Sequence, residues 1–350
     1  MKKHKNIITI IVFTVLLLSF FLFVYEELTN TNSVFSYYET FGGDRKEIEI
    51  PANSKLDDVI HLLNKNGELH CLPCFHALAY QKRYTKNIIS GTIILEGRYS
   101  INSLINSLKV KKRDVRNLQI PENIRLLEDM IILIEDSIGY KRGELKSYLD
   151  TSNFLIANNW TIETLPAFFI PNTYELYKDV SVEEFLKKMN DEYQKFWNVE
   201  RERKCDSLGI TKIDVSILAS ISEEEQDKRL DERSKIAGLY LNRLKNPRHF
   251  PYLQADPTVK FANKDFGIKQ VLNKHLKIDN PYNTYKYKGL PPGPICIPSI
   301  HAIDAVLNAE KHDYYFMCAG SNGDGYHEFT STNREHNMNK RKFKKFQGFK

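Results

Sequence analysis

The sequence predicts an α+β protein in which a single apolar helix near the N-terminus precedes a small module and a larger unit. Three observations predict this architecture. An almost unbroken apolar run covers residues 7–25. Two strand patterns and two helix patterns follow within residues 46–117. Residues 118–350 then carry five helix patterns and a hairpin pattern, which is a mixed α+β composition.

The apolar run has the length of a membrane-spanning helix. A helix over residues 7–25 is roughly 28 Å long, close to the hydrocarbon thickness of a bilayer. Lysines at positions 2, 3 and 5 precede it and two glutamates follow, so the positive-inside rule predicts a cytoplasmic tail of residues 1–6 and an exported body. A cleaved signal peptide is the alternative. It needs a shorter apolar core and a small-residue cleavage site, which residues 20–25 do not provide.

Composition excludes several classes of protein. The 350 residues are 42% hydrophobic and 27% charged, an ordinary globular balance with room for about two domains. An aromatic content of 12% argues against disorder. The 50 basic residues are interspersed with 44 acidic ones, so the net charge of +6 forms no stripe that would bind nucleic acid. A sugar polymer or an anionic envelope surface remains compatible with this charge.

The cysteines and histidines give no clear metal site. Cys71 and Cys74 have the spacing of a redox motif, but no βαβ pattern surrounds them, so the open alternatives are a local disulfide and two packing cysteines. Zinc would need a second ligand pair, which is absent at suitable spacing. His327, His336 and Asn337 lack a His-x-x-x-His pair and a nearby acid. We therefore expect neither a metal nor a cofactor.

The small module follows a polar segment. Residues 26–45 are rich in Thr, Asn, Ser and Gly and are expected to form a stalk. Strands are predicted near residues 47–50 and 92–95. Helices are predicted from the apolar spacing between residues 56 and 66 and between 100 and 108, with Ser100 as the N-cap of the second.

The larger unit is mainly helical before a loop-rich stretch at 246–300 and a final hairpin. Periodicity predicts helices at about 123–138, 142–150, 181–198, 212–226 and 233–245. Two strand patterns, at 314–319 and 326–330, flank a glycine-rich turn. This turn is not a phosphate loop, because a strand rather than a helix follows the glycines.

Three consecutive glutamates end the helix predicted over 212–226. Successive helical residues point about 100° apart, so their carboxylates cannot share one environment. Glu223 adjoins the apolar face, one turn beyond Ala219, and is the acid that can lean into a cleft. A carboxylic acid that an apolar wall partly desolvates has a raised pKa and can donate a proton near neutrality. The alternative is a solvated helix end with Lys228 and Arg229 as partners, and the pattern alone favours that alternative.

Two further polar stretches are candidates for binding. The first contains Gln254 and Asp256, where the Asp-Pro sequence favours an extended backbone and a rigid polar loop. The second contains Asn283 and Tyr285 ahead of a proline-rich segment. Interleaved tyrosines and an amide are typical of a saccharide platform, although tyrosines that pack against a proline-rich loop explain the pattern equally well.

Taken together, these stretches resemble one known family, the endolytic murein transglycosylases of the YceG-like (MltG) type. Residues 218–225 with 231–244 resemble its catalytic helix and the helix that follows. Other matching stretches occur in the family's order: 120–122, 168–174, 253–259, 282–298, 326–329 and 336–337. Gln226 departs from the pattern, since threonine is usual at that position.

The resemblance implies a fold and an activity. It implies a LysM-like module at 46–117, a YceG-like catalytic domain at 118–350, and cleavage of nascent peptidoglycan strands between MurNAc and GlcNAc. In such a lyase one acid protonates the departing glycosidic oxygen and then accepts the proton of the substrate's own C6 hydroxyl, leaving a 1,6-anhydro end. Glu223 is expected to be that catalytic acid. Residues expected to bind the glycan are Gln254, Asp256, Asn283 and Tyr285.

The resemblance also implies a location and partners. The protein is expected to be a single-pass protein of the bacterial inner membrane, with its body outside the cytoplasm, acting as a terminase of strand elongation. Its expected partners are peptidoglycan strands, the membrane and membrane-bound glycan polymerases, with no nucleic acid. Two alternatives stay open: a non-catalytic peptidoglycan-binding scaffold, and a muramidase in which Asp256 assists Glu223 as a second carboxylate.

Overall fold

The computed structural model describes residues 14–22, 39–41, 44–67, 69–110 and 115–348. The chain divides into two compact units, Met1–Asp114 and Val115–Lys350. The described residues form a mixed α+β structure, as the sequence predicts.

The predicted N-terminal helix is described only in part. Residues 14–22 are helical with exposed side chains, whereas the rest of the segment predicted over 7–25, and the tail of residues 1–6, lie outside the described residues. Within the described ranges, none of the helices combines the length and apolarity needed to cross a membrane. Part of the segment predicted as a stalk forms a short strand at Glu39–Phe41, which pairs with Tyr99–Ser100.

Besides the helical residues 14–22, the described part of the first unit contains two small sheets and three α-helices. In chain order these are β1 (Glu39–Phe41), β2 (Lys46–Ile50), α1 (Leu56–Asn66), α2 (Leu72–Gln81), a 3₁₀ turn (Tyr84–Lys86), β3 (Gly91–Leu95), β4 (Tyr99–Ser100) and α3 (Ile101–Leu108). Strand β2 pairs antiparallel with β3, so that Lys46 lies opposite Leu95 and Ile50 opposite Gly91.

The core of this unit follows the predicted periodicities. Alternation in β2 buries Ile48 and Ile50, and one face of α1 buries Leu56, Val59, Ile60 and Leu63. The hydroxyl of Ser100 accepts the backbone N–H of Ser103 at 3.2 Å, which confirms the predicted N-cap of α3. Helix α2 was not predicted. It begins beside a disulfide between Cys71 and Cys74, so the local-disulfide alternative holds.

The second unit carries ten α-helices and four strands among its described residues. In chain order these are β5 (Val115–Ile120), α4 (Leu127–Ile138), α5 (Glu144–Thr151), α6 (Phe154–Ala157), β6 (Asn172–Tyr177), α7 (Val182–Phe196), α8 (Val199–Leu208), α9 (Lys212–Glu225), α10 (Arg233–Lys245), α11 (Asp256–Ala262), α12 (Ile300–Leu307), β7 (Phe316–Ala319), β8 (His327–Thr330) and α13 (Asn333–Phe346). Short 3₁₀ turns occur at Leu165–Ala167, Leu230–Glu232 and His275–Lys277.

The strands of this unit form two antiparallel pairs. Strand β5 pairs with β6, with Val115 opposite Tyr177 and Ile120 opposite Asn172. It begins at Val115, ahead of the predicted start of the larger unit at residue 118. Strands β7 and β8 form the predicted terminal hairpin, with Phe316 opposite Thr330.

Helix α9 lies at the centre of the second unit. Residues 215–223 are all buried, and α9 packs against α8, α10, α11 and α12. A capping box starts the helix: the hydroxyl of Thr211 accepts the backbone N–H of Asp214 at 3.1 Å, and the Asp214 carboxylate accepts the N–H of Thr211 at 2.9 Å. Because residues 215–223 are buried, the carboxyl of Glu223 at the end of this run must find partners inside the protein.

The proline-rich segment after residue 289 packs so closely that one position requires glycine. A Cβ atom at Gly293 would lie 1.8 Å from the carbonyl oxygen of Glu163. Gly293→Ala is therefore expected to lower the free energy of unfolding by about 1–3 kcal/mol, measured by chemical denaturation. Gly267→Ala is the matched control, because its Cβ would meet only the Asp265 side chain, at 3.3 Å. Equal stability of the two variants would contradict this packing.

Candidate active site

The three glutamates that end α9 lie in three different environments. Helix α9 stops at Glu225, and Gln226 is extended with φ −139°. Glu223 points into the interior, Glu224 pairs with a neighbouring loop, and Glu225 faces α10 and α11. The expectation that successive carboxylates cannot share surroundings is confirmed.

Glu223 belongs to a buried ion pair. One of its oxygens accepts Nη1 of Arg233 at 3.0 Å, and the other accepts the backbone N–H of Ser299 at 2.8 Å. Glu223 is 3% exposed and Arg233 is 4% exposed. The Nε of Arg233 also donates to the carbonyl of Gln226 at 3.0 Å. These contacts join α9 to the starts of α10 and α12 and leave Glu223 without a face that a polymer can reach.

Glu224 is also paired. Its two oxygens accept Nε and Nη2 of Arg125 at 2.9 and 3.0 Å, a bidentate arrangement. The guanidinium of Arg125 lies 4.9 Å from the ring centroid of Phe266. This pair covers one side of the end of α9.

Glu225 is the glutamate whose surroundings suit proton transfer. Its side chain keeps partial exposure, and its Oε1 accepts the hydroxyl of Tyr240 at 2.7 Å. Burial raises the pKa of Glu225 to about 7, with the Tyr240 hydrogen bond acting in the opposite direction and the charge of Asp256 adding to the rise. Its place at the C-terminus of α9 further disfavours the anion, because the helix dipole is negative there. Glu225 can therefore both donate and accept a proton near neutrality.

Asp256 and Tyr285 lie close to Glu225. The Tyr285 hydroxyl donates to Oδ1 of Asp256 at 2.6 Å, and the charge of Asp256 acts on Glu225. Burial, with the adjacent Asp256, raises the pKa of Tyr285, so the phenol stays protonated and serves as a donor. The prediction of a loop at Asp256 is wrong: the residue begins α11, because proline fits the first turn of a helix.

The other two residues expected to bind glycan have different surroundings. Asn283 is completely buried, and its amide donates to the carbonyls of Leu276 and Ile278 at 2.9 and 3.0 Å. Its side-chain oxygen accepts the N–H of Tyr285 at 3.1 Å, so Asn283 orders the loop that presents Tyr285. Gln254 is exposed, with a left-handed φ of 53°. The structure thus brings Asp256 and Tyr285 together and leaves Gln254 at the surface.

Two residues of α10 were missed in the sequence analysis. Tyr240 supplies the hydrogen bond to Glu225. Arg243, which is 7% exposed, donates to the carbonyls of Leu253 and Tyr315 at 2.6 and 2.7 Å and so holds two loops beside the site. The sequence offered one signal for them: Tyr240 and Arg243 lie in or next to the apolar stretch 236–241 of a predicted helix. Polar groups buried in such a stretch need hydrogen-bond partners.

The final hairpin brings a histidine to the same region. His327 donates from its backbone N–H and its Nδ1 to the carboxylate of Glu232, at 2.8 and 2.7 Å. His336 is separate, with its ring stacked on Phe316 at 5.4 Å. Among the described residues there is no group of three or more His, Cys, Asp or Glu side chains placed to hold a metal.

This geometry can be compared with known proteins. The model of the YceG-like family matches residues 48–342. The endolytic murein transglycosylase of Bacillus subtilis (strain 168) is 30% identical over 318 residues, which cover 85% of this chain and 84% of that protein. The endolytic murein transglycosylase of Streptococcus pneumoniae serotype 2 is 26% identical over 331 residues, covering 83% of this chain but 57% of its own length.

A solved structure is also similar. The crystal structure of a YceG-like protein from Listeria monocytogenes aligns with a TM-score of 0.52 at 25% sequence identity. The alignment covers 84% of this chain and 99% of that chain. The similarity thus extends over most of both molecules.

Proposed function

This chain belongs to the YceG-like family, and from that premise we propose that it is an endolytic murein transglycosylase with Glu225 at its reactive centre. The enzyme is a lyase that acts on peptidoglycan. The observation that carries the residue assignment is the partly exposed carboxyl of Glu225, which accepts the Tyr240 hydroxyl at 2.7 Å near the Asp256–Tyr285 pair. Burial there raises the pKa of Glu225 to about 7. Glu223 was the acid expected from the sequence, and that assignment stays a prediction; its buried pairing with Arg233 favours a structural contribution instead.

One carboxyl suffices for the lytic reaction. The proton of Glu225 passes to the glycosidic oxygen between MurNAc and GlcNAc as the bond from that oxygen to C1 breaks. The resulting carboxylate then accepts the proton of the C6 hydroxyl while the C6 oxygen bonds to C1, which forms the 1,6-anhydro ring. Glu225 ends as it began, protonated, and no water is consumed.

The neighbours of Glu225 would orient the sugar. Asp256 and Tyr285 form a hydrogen-bonded pair that can receive ring hydroxyls, and a phenol ring offers a stacking surface. Gln254 is exposed two residues before Asp256 and is a candidate contact for the polymer further from the reactive bond. Asn283 would act indirectly, through the loop that carries Tyr285.

The first unit and the N-terminus complete the proposal. Strands β2 and β3 enclose helices α1 and α2 in a strand–helix–helix–strand order, which supports a LysM-like module over residues 46–117 that binds GlcNAc units. We further propose that residues 7–25 anchor the chain in the inner membrane after a cytoplasmic tail at 1–6, with 26–45 as the stalk. Membrane-bound glycan polymerases would then be neighbours, and cleavage of nascent strands would end their elongation.

A two-carboxylate muramidase is the second candidate. It is favoured by one observation, the influence of the Asp256 charge on Glu225, which requires the two carboxyls to be near each other. Retaining and inverting hydrolases use carboxyl pairs about 5–5.5 Å or about 6.5–9.5 Å apart. The Asp256 carboxylate accepts the hydroxyl of Tyr285 at 2.6 Å. This contact favours a contribution of Asp256 to orienting the sugar over activation of a water or attack on C1.

Product analysis separates these functions. The full-length chain is incubated with uncrosslinked peptidoglycan strands, and the new chain ends are identified by mass spectrometry. We expect 1,6-anhydro-MurNAc ends and internal cleavage. Reducing MurNAc ends would indicate the muramidase, and an unchanged polymer would indicate a binding scaffold; either result would overturn the proposed lyase reaction.

A further inference from the structure

A buried carboxylate holds His327 in a fixed orientation at the end of the hairpin. Glu232 is 5% exposed, and both of its oxygens accept hydrogen bonds from His327. Because the carboxylate is an acceptor, Nδ1 of the imidazole carries a proton. The amide of Gln226 donates to Oε2 of Glu232 at 2.7 Å and to the carbonyl of Gly325 at 3.0 Å. Both carboxylate oxygens of Glu232 therefore have hydrogen-bond donors inside the protein.

The same network fixes His327 relative to Glu225. Gln226 directly follows Glu225 in the chain, and its Nε2 lies 3.4 Å from Nδ1 of His327. Its side-chain oxygen accepts the backbone N–H groups of Lys228 and Arg229 at 3.2 and 3.1 Å, which closes the turn after α9. The end of α9 and the start of β8 are consequently joined through one buried side chain.

The surroundings of His327 favour its positively charged form. Burial alone lowers the pKa of His327, but the hydrogen bond and charge of Glu232, together with the charge of Glu225, outweigh burial and raise it above its usual value. For Glu232 the balance is the reverse: burial raises its pKa, and the hydrogen bonds from His327 and Gln226 lower it further than burial raises it. Both shifts favour the imidazolium–carboxylate form of the pair.

Charged and titratable groups reach Glu225 from three elements and one loop. Tyr240 on α10 donates a hydrogen bond, Asp256 and Lys260 approach from α11, and His327 approaches from β8. Arg243 on α10 and Tyr285 in the loop after Asn283 also interact electrostatically with Glu225. Burial and Asp256 favour the protonated carboxyl, whereas Tyr240, His327 and Lys260 favour the ionised form. The pKa of Glu225 thus depends on opposing contributions, and the contribution of His327 lowers it.

We propose that His327 is a positioning residue of the lytic reaction, whose imidazolium, held by Glu232, is the counter-charge that lets Glu225 release a proton and take one back at the same pH. The inference rests on the proposed function, because His327 acts through Glu225. A reaction that uses one carboxyl in both directions needs an acid that is neither too weak to donate nor too strong to accept. Burial beside Asp256 alone would make the acid too weak.

The pH dependence of cleavage tests this inference. With the full-length chain and uncrosslinked strands, the alkaline limb of kcat/KM is expected near pH 7, where Glu225 loses its proton. His327→Gln removes the positive charge, so this limb should move to higher pH by about one unit, with a lower maximal rate. Glu232→Gln should move it in the same direction, because the imidazole loses the carboxylate that keeps it charged.

A matched control removes a charge of another ion pair. Asp304 on α12 accepts Nε and Nη2 of Arg201 at 3.2 and 3.1 Å, in a partly buried pair that involves α8. Asp304→Asn should leave the alkaline limb where it is in the wild type. If His327→Gln lowers the rate uniformly and its limb coincides with that of Asp304→Asn, His327 is merely structural and the inference is overturned.

A second measurement does not need an active or a stable His327 variant. The charge of Glu225 raises the pKa of His327, so Glu225→Gln should lower the His327 titration midpoint observed by NMR. An unchanged midpoint would overturn the inference. Cleavage by Glu225→Gln at the wild-type rate would instead overturn the proposed function, so the two failures are distinguishable.

Discussion

Glu225→Gln is expected to reduce murein cleavage by roughly 10³- to 10⁴-fold, because one carboxyl serves as both acid and base in the proposed reaction. The rate is measured as the release of 1,6-anhydro ends per folded molecule. Glu223→Gln is the matched variant, two residues earlier on the same helix. It should keep more than about a tenth of the activity of its folded fraction, because Glu223 contacts Arg233 and Ser299 rather than the reactive face.

The stability of these variants should run opposite to their activity. A carboxyl whose pKa is raised to about 7 in the folded chain stabilises the fold fully below its unfolded pKa, and this contribution is lost as pH rises through about 7. Glutamine does not ionise, so Glu225→Gln should unfold at the same or a higher temperature than the wild type at pH 8. Loss of cleavage by Glu223→Gln with full activity of Glu225→Gln would reverse the assignment.

Arg233→Ala is expected to lower the free energy of unfolding by about 3–5 kcal/mol, because it leaves the Glu223 carboxylate buried without its cation. The variant also loses the hydrogen bonds from Arg233 to the carbonyl of Gln226 and to the hydroxyl of Ser299. Denaturant unfolding of the full-length chain, followed by circular dichroism, measures the change.

Two comparisons make this stability test specific. Lys146→Ala removes an exposed pair with Asp150, whose side chains are 58% and 45% exposed, and should change stability by less than about 1 kcal/mol. The double variant Glu223→Leu with Arg233→Met should be more stable than Arg233→Ala, since no charge is then left unpaired. If Lys146→Ala and Arg233→Ala lower the free energy of unfolding equally, the buried pair contributes no more to stability than an exposed one.

Much of the fold could be predicted from periodicity. The helices predicted over 212–226 and 233–245 are observed at 212–225 and 233–245, and the terminal hairpin is confirmed. Helix α8 was missed because its sequence, VERERKCDSL, is charged on every face and buries only Cys205. Helices of that kind show no apolar stripe, and their position depends on neighbours that the sequence does not reveal.

The sequence and the geometry favour different glutamates as the catalytic acid, Glu223 and Glu225. The apolar residues of α9 predict an amphipathic helix in which Glu223 adjoins the one apolar face. Instead, residues 215–223 are enclosed on every side, so the residue nearest the core meets Arg233 rather than a cleft. A run of eight small or apolar residues, 215–222, before the glutamates was the signal for complete burial. The partners Tyr240 and Arg233 come from the next helix, and only the packing of α10 on α9 identifies them.

The threonine pair behind the site constrains how Asp256 and Tyr285 can move. The hydroxyls of Thr258 and Thr284 are 2.8 Å apart, and Thr284 also accepts the N–H of Ala255 at 3.0 Å through its hydroxyl. Both threonines are buried, so their hydrogen bond joins the segments that carry Asp256 and Tyr285 from within the protein. A displacement of either segment must break this bond or move both segments together, so we expect the spacing between Asp256 and Tyr285 to stay fixed.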